Sequence, residues 1–388
     1  MKTVIKNAKI LTMAGLDYEC GCIVMENGKL VAVGEPIPAL LDGADEVIDA
    51  SGLWALPGFI DSHCHIGLFN DGMGEEGEDG NEAIDPVTPH LRAIDSIDPQ
   101  DICFTEARMH GVTTVVTGPG SANVIGGQFS ALKTKKSNLV EDMAFVPVHS
   151  LKVAFGENPK RVYSSQKRAP TTRMATAAIL REELIKALDY KRKWELGLKD
   201  PDKMIDRDIR KEVLVMALNR EIPVKAHAHR TDDILTALRI GREFNLNMTI
   251  EHATEGYMIL DDLKRFNAQC ILGPLLCDRG KVELKNLSIK APVLYANAGL
   301  KFALMTDHPV NQSYTLPFVA AICVREGLSE TDALKAITIH AAEITGLQNR
   351  VGSLEVGKDA DVLLFNGNPM DVRNQLVATF IDGEFVKA

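Results

Sequence analysis

Leu56-Pro57-Gly58-Phe59-Ile60-Asp61-Ser62-His63-Cys64-His65 is the stretch at which the chain changes style. It reads as an apolar strand ending in two histidines spaced i, i+2. Side chains two apart on a strand share a face, so both imidazoles can reach one metal ion. Taken alone, the pair fits satisfied polar residues on a strand as well as it fits ligands. The sequence on either side shifts that balance towards metal.

Upstream, residues 1–55 read as short alternating strands with turn signals, among them Asn27-Gly28 ahead of Leu30-Val31-Ala32-Val33. The carboxyl end repeats the style in Asp361-Val362-Leu363-Leu364-Phe365 and in Ala378 to Val386, with an Asp382-Gly383 turn. Neither piece has the apolar surface for a stable domain, so 1–55 and 348–388 are expected to combine into one composite β-sandwich. Between them, residues 56–347 alternate strand and helix, the signature of a parallel sheet or barrel. Strands are expected at 55–62, 112–117, 146–154, 222–228, 247–252, 268–273 and 301–306, with a weaker one near 128–134. Helices are expected at 99–110, 173–197, 203–220, 231–244 and 329–346, where apolar residues recur at three and four. The fold class is therefore read as α/β: a (β/α)8 TIM-like barrel with a composite small β-sandwich from both chain ends.

Composition narrows the function. The 388 residues carry 43 Lys and Arg against 53 Asp and Glu, a net charge of −10. No basic tract occurs, which argues against nucleic acid and anionic membranes as partners and favours a small-molecule substrate. The amino terminus intersperses lysine and asparagine among its apolar residues, unlike a signal-peptide core, and no apolar run approaches the roughly 20 residues of a membrane span. Seven cysteines without paired spacing suit reduced thiols, so a cytoplasmic protein is expected. Cys20 and Cys22 form a C-x-C in a strand-like stretch and read as structural.

Further polar residues stand at the ends of expected strands, where a barrel gathers its catalytic groups. They are Lys152 after Ser150-Leu151, His227 in Val224-Lys225-Ala226-His227-Ala228-His229, His252 in Thr249-Ile250-Glu251-His252, and Asp307 after Met305-Thr306. Singly, each could be a satisfied core group. Joined to His63 and His65 in this order, they make coincidence a poor explanation.

These residues, with the tail Val351-Gly352-Ser353-Leu354-Glu355-Val356-Gly357-Lys358-Asp359-Ala360-Asp361, resemble the amidohydrolase superfamily of metal-dependent hydrolases, within it the imidazolonepropionase-related and prolidase-like branch. The resemblance implies one or two divalent metal ions, zinc foremost, with His63, His65 and Asp307 holding the first. A Lys152 carboxylated by CO2 would be an anionic bridge, with His227 and His252 holding a second ion. A plain Lys152 would leave a mononuclear site with His227 as ligand. Glu157 is an alternative carboxylate ligand. The implied reaction is hydrolysis of a C–N bond in an amide, cyclic amide or dipeptide-like small molecule, with metal-activated water as nucleophile and Asp307 as general acid and base.

Imidazolonepropionase itself fits less well, because His229-Arg230 stands where that enzyme has an acidic residue. A non-catalytic member would be expected to lose ligands that this chain keeps. His229 and Arg230 are candidates for binding a substrate carboxylate or a developing oxyanion, or else for capping and loop contacts. Asn123 and Arg279 have the same standing. The glycine-rich 118–128 stretch lacks the phosphate-loop pattern and is expected to shape the rim of the site. The acidic segment 70–85 reads as a solvated loop or a lid. His308 should point to the face opposite Asp307 and shape the loop with Pro309. Family likeness also suggests a homo-oligomer.

Overall fold

Phe59–Cys64 and Val112–Thr117 are buried along their whole length. Strands buried at every residue need a sheet covered on both faces. The computed structural model describes residues 1–386 and places both in an eight-stranded sheet. Its strands, numbered in chain order, are β1 (Phe59–Cys64), β2 (Val112–Thr117), β3 (Ile125–Lys133), β4 (Ala144–Ala154), β5 (Val224–Ala228), β6 (Met248–His252), β7 (Gln269–Leu272) and β8 (Phe302–Leu304). Spatial order follows chain order. The outer strands then meet: Ser62 Oγ donates to the Leu304 carbonyl at 2.8 Å, Asp307 N to His63 O at 3.2 Å and His65 N to His308 O at 3.0 Å. These bonds nearly close the sheet into a barrel.

One expectation is corrected. Strand-then-helix alternation fails at β3, which runs antiparallel to both β2 and β4. Only residues 118–124 join β2 to β3, and a parallel crossover needs about a dozen residues or more. The remaining pairs are parallel. The barrel is therefore not a strict (β/α)8 repeat.

The helices follow the apolar periodicity closely, as in Arg173–Lys199 and Thr231–Glu243. The expected 329–346 helix is two, Glu330–Ala336 and Ile339–Thr345. Thr338 between them leaves helical geometry at φ −134°, ψ −101°. Among the described residues, no helix is long and apolar enough to cross a membrane.

A second sheet takes strands from both chain ends. Trp54–Pro57 is its hinge, pairing parallel with Lys2–Ile10 and antiparallel with Val362–Phe365. Two of its hairpins turn on Asn27-Gly28 and Asp382-Gly383, where all four residues have positive φ. That is the type I′ turn whose twist matches paired strands. The sheets are tied together by charge. Lys133 of β3 is buried, with Nζ 2.6 Å from Asp361 Oδ2, 3.1 Å from Asp359 Oδ2 and 3.7 Å from Asp382 Oδ1.

His149 of β4 is also buried, with Nε2 2.8 Å from the Thr345 carbonyl. Burial, reinforced by the Lys225 charge, lowers its pKa to about 4. The unfolded chain takes up this proton near pH 6.5 and the folded chain refuses it, so stability falls as pH drops from about 6.5 towards 4. The loss amounts to roughly 3 kcal/mol at the lower end. His149→Gln should flatten this part of the acid limb, read as denaturant midpoints between pH 7 and 4.5. Equal pH slopes in parent and variant would contradict the assignment.

Candidate metal centre

The carboxyl ends of β1, β4, β5 and β6 and the turn after β8 converge on one point. His63 and His65 lie with Asp307 in one group, and His227, His229 and His252 in a second, the potential ligand atoms within each lying within 4.8 Å of one another. His65 Nε2 is 3.2 Å and His63 Nε2 3.7 Å from Asp307 Oδ1. Lys152 Nζ stands 3.0 Å from His63 Nε2. The His63 and His252 rings are 5.8 Å apart, so the two groups adjoin. Phe129 of β3 packs beneath them, its ring centroid 5.1 Å from that of His63.

Local backbone explains how residues on different faces reach one centre. His252 and Asp307 have φ of +72° and +56°, a left-handed conformation uncommon for residues with a side chain. Such positions are sustained by surrounding structure and cluster at functional sites. At His252 the break in alternation lets Glu251 and His252, neighbours in sequence, both serve the site.

The donor set fits divalent metal. His65 Nδ1 faces the Gly118 carbonyl at 2.6 Å and His252 Nδ1 the Gly273 carbonyl at 2.9 Å. Each carbonyl accepts a hydrogen bond from Nδ1–H, leaving the Nε2 lone pair free. Burial holds His63, His227 and His252 well below the ordinary histidine pKa, and the nearby Lys152 charge adds to this in each. His229 is lowered to about 3, by burial first and then by His227. Neutral imidazoles are what a metal requires. Burial works against ionisation of Asp307, but His65 and Lys152 outweigh it and hold the carboxylate below its usual range. Burial also brings Lys152 down to about 8, against the opposing pull of Asp307 and Glu251.

Four neighbours carry no sequence-based role. Glu251 Oε2 is 2.9 Å from His63 Nδ1, although off the line of a well-aligned hydrogen bond, and 3.1 Å from Lys225 Nζ. Lys225 and His227 sit two apart on β5, which was a legible sign that Lys225 also faces inward. Glu283, in the turn after β7, is buried with Oε1 3.6 Å from His229 Nε2 and 3.8 Å from His227 Nε2. Glu283 Oε1 and His229 Nε2 are both buried without a hydrogen-bond partner. Gly156 makes room for this arrangement: at φ +82°, an added Cβ would meet Glu283 Oε2 at 2.8 Å. The Glu157 backbone N–H donates to that same oxygen at 2.9 Å. Phe129 completes the set.

The other expected contacts have partners of their own. Arg230 pairs with Asp232 at 3.0 Å, and exposed Arg279 donates to the Leu287 carbonyl at 2.8 Å. Asn123 is buried but donates to the Asp85 carbonyl at 2.7 Å and to that of Glu82. Together with bonds from Gly120 N to Gly80 O at 2.8 Å and from Tyr163 OH to Asp85 O at 2.9 Å, it fastens the acidic 70–85 segment to the rim. Glu157 Oε2 lies 3.4 Å from the Glu283 backbone nitrogen, in a reciprocal loop contact.

Removing the Glu251 charge should loosen His63. Glu251→Gln is expected to weaken metal affinity about 10- to 100-fold, the usual range for a residue that orients a ligand. Competition against a chelator reads this, and an unchanged affinity would contradict the role.

The model of the amidohydrolase family matches residues 54–386. An amidohydrolase from Thermotoga maritima MSB8 superposes with a TM-score of 0.95 at 42% identity, over 99% of both chains. The amidohydrolase tasK of Hapsidospora irregularis is 28% identical over 95% of this chain, which spans only 40% of that relative's length. An imidazolonepropionase of Symbiobacterium thermophilum is 24% identical over 89% of this chain and 84% of its own. A prolidase complexed with N-methylphosphonate-L-proline, at 18% identity and a TM-score of 0.62 over the whole of both chains, shares the fold. A match that runs from the hinge strand of the second sheet through all eight barrel strands places the chain in the amidohydrolase family.

Proposed function

We propose that the chain is a metal-dependent hydrolase of a C–N bond in a small amide, cyclic amide or dipeptide-like substrate. The observation that carries the reading is the joining of two ligand groups, His63–His65–Asp307 and His227–His229–His252, beside a buried Lys152. Family relatives named for action on C–N bonds support it. Histidine and carboxylate donors suit zinc, manganese, iron or cobalt. Such ions supply Lewis acidity to a carbonyl and lower the pKa of bound water to about 7.

The chain's own groups do the rest. Asp307, held ionised, takes a proton from the attacking water and passes it to the leaving nitrogen. Lys152, its basicity lowered by burial, keeps a fraction of neutral amine at neutral pH. That amine can add to CO2, with loss of a proton to solvent, and become a carbamate bridging the two groups. Glu251, balanced by Lys225, orients His63. His229 and Glu283 face the second group and are placed to meet the substrate's polar end or to complete the ligand set. The Arg230 and Arg279 contacts favour the capping and loop readings for those side chains.

The test offers protein loaded with Zn²⁺ or Mn²⁺ a panel of N-acyl amino acids, dipeptides and five- and six-membered cyclic amides, and follows amine or carboxylate release. At least one class should turn over, cease with chelator and recover on adding metal. Loaded protein that turns over none would contradict the reading.

A further inference from the structure

Outside this centre, a second cluster of ligating side chains lies behind the turn that carries Asp307. Asp101, Cys103 and His308 present one carboxylate oxygen, one sulfur and one ring nitrogen, all within 4.8 Å of one another. All three are buried, at 6%, 2% and 0% exposure. Asp101 is the N-cap of the helix Ile102–Met109, and its Oδ1 accepts from Cys103 N at 3.0 Å. That bond uses one carboxylate oxygen. Oδ2 is buried without a partner, and so are both ring nitrogens of His308.

A fully buried imidazole with neither nitrogen bonded is costly, and so is a buried carboxylate oxygen left alone. Packing does not require these residue types here. His308 is not one of the His63–His65–Asp307 group but falls in this separate one. Cys103 Sγ has one neighbour of note, Gln312 Oε1 at 3.7 Å, a neutral carbonyl oxygen that could serve as a fourth donor.

We propose that Asp101, Cys103 and His308 form a separate binding site for one divalent ion of the zinc type. The donor chemistry selects it: thiolate with imidazole and carboxylate suits zinc or cobalt and is foreign to magnesium or calcium. Charge also balances. One carboxylate and one thiolate offset the two positive charges of the ion, and the imidazole stays neutral, so the loaded cluster is buried without net charge. On binding, the Sγ–H bond of Cys103 gives way to a sulfur–metal bond and its proton leaves to solvent. The Asp71 carboxylate, on the exposed segment nearby, acts on both Cys103 and His308 and favours a cation approaching from that side. The position gives the ion a structural consequence. The His308 carbonyl accepts from His65 N at 3.0 Å, so an ion on this cluster would brace the turn from which both Asp307 and the His65 backbone are held.

Cobalt separates the two sites, because the first centre offers no thiolate. Full-length protein titrated with Co²⁺ should develop a thiolate-to-cobalt charge-transfer absorption in the near ultraviolet, saturating at one equivalent per chain. Cys103→Ala should abolish the band and lower the metal content by one ion, with the ions of the histidine centre retained. Asp101→Asn keeps a good helix cap while removing the charge, and it should move the band's midpoint to at least tenfold higher Co²⁺. No band in folded parent protein at saturating Co²⁺ would overturn the proposal, as would a band undiminished in Cys103→Ala. Should Cys103→Ala not fold, an unmoved midpoint in Asp101→Asn overturns it equally.

Discussion

Asp307→Asn is expected to lower kcat by about 10²- to 10⁴-fold on any substrate the protein turns over, the range that general acid and base groups supply. The asparagine keeps the shape of the side chain but neither accepts the water's proton nor returns it to the leaving nitrogen. Asp307 Oδ1 also contacts His65 Nε2 at 3.2 Å and His63 Nε2 at 3.7 Å, so part of the loss should appear as weaker metal retention. Metal content measured alongside kcat separates the two. A variant that keeps its metal and loses little activity would remove Asp307 from proton transfer. Thermal unfolding should be little changed, because the turn's backbone bonds, Asp307 N to His63 O among them, do not depend on the carboxylate.

Lys133→Ala should produce the largest loss of stability. Lys133 is the buried cation between Asp359, Asp361 and Asp382, and removing it leaves Asp359 and Asp361 buried close together. Burial opposes ionisation of Asp359, but Arg350, Lys133 and Lys29 bring its pKa down to about 2, whereas burial leaves that of Asp361 raised. Breaking a buried pair from one side typically costs about 3–5 kcal/mol, and here Asp361 is the charge left uncompensated, since Asp359 keeps Lys29 at 2.6 Å and Arg350 at 2.8 Å. The effect should fall on the junction between barrel and second sheet, where these residues meet. Denaturant unfolding of the parent and of Lys133→Ala reads it, and a difference under about 1 kcal/mol, the worth of a surface pair, would contradict the network's importance. At pH 3 the difference should shrink as Asp361, whose pKa is raised, takes up a proton.

Much of the centre was legible because each candidate ligand closes an apolar run. His63, Lys152, His227, His252 and Asp307 each follow residues that can only be interior strand, and a barrel gathers strand ends. Glu283 was not legible, since it lies in a short turn with no periodic pattern, and only the chain path brings it against His227 and His229. Glu251 was hidden by alternation itself: next to His252 on a regular strand it would face away from it, and the left-handed backbone at His252 cancels that rule. The direction of β3 also escaped the pattern of apolar residues, which reads the same in either sense along a strand. The short 118–124 connection carried that information. His229, read from the sequence as a candidate substrate contact or capping residue, lies just past the end of β5 and falls in the second group of potential ligands.

The most direct test of the account counts divalent ions per chain in protein purified without chelator, in a Cys103→Ala background so that the Asp101 cluster does not contribute. The account predicts close to two ions, with at least one lost in Lys152→Ala and restored on neither Zn²⁺ nor Mn²⁺ addition at stoichiometric concentration. Protein that carries no ion and takes up none when either metal is offered in excess would contradict it.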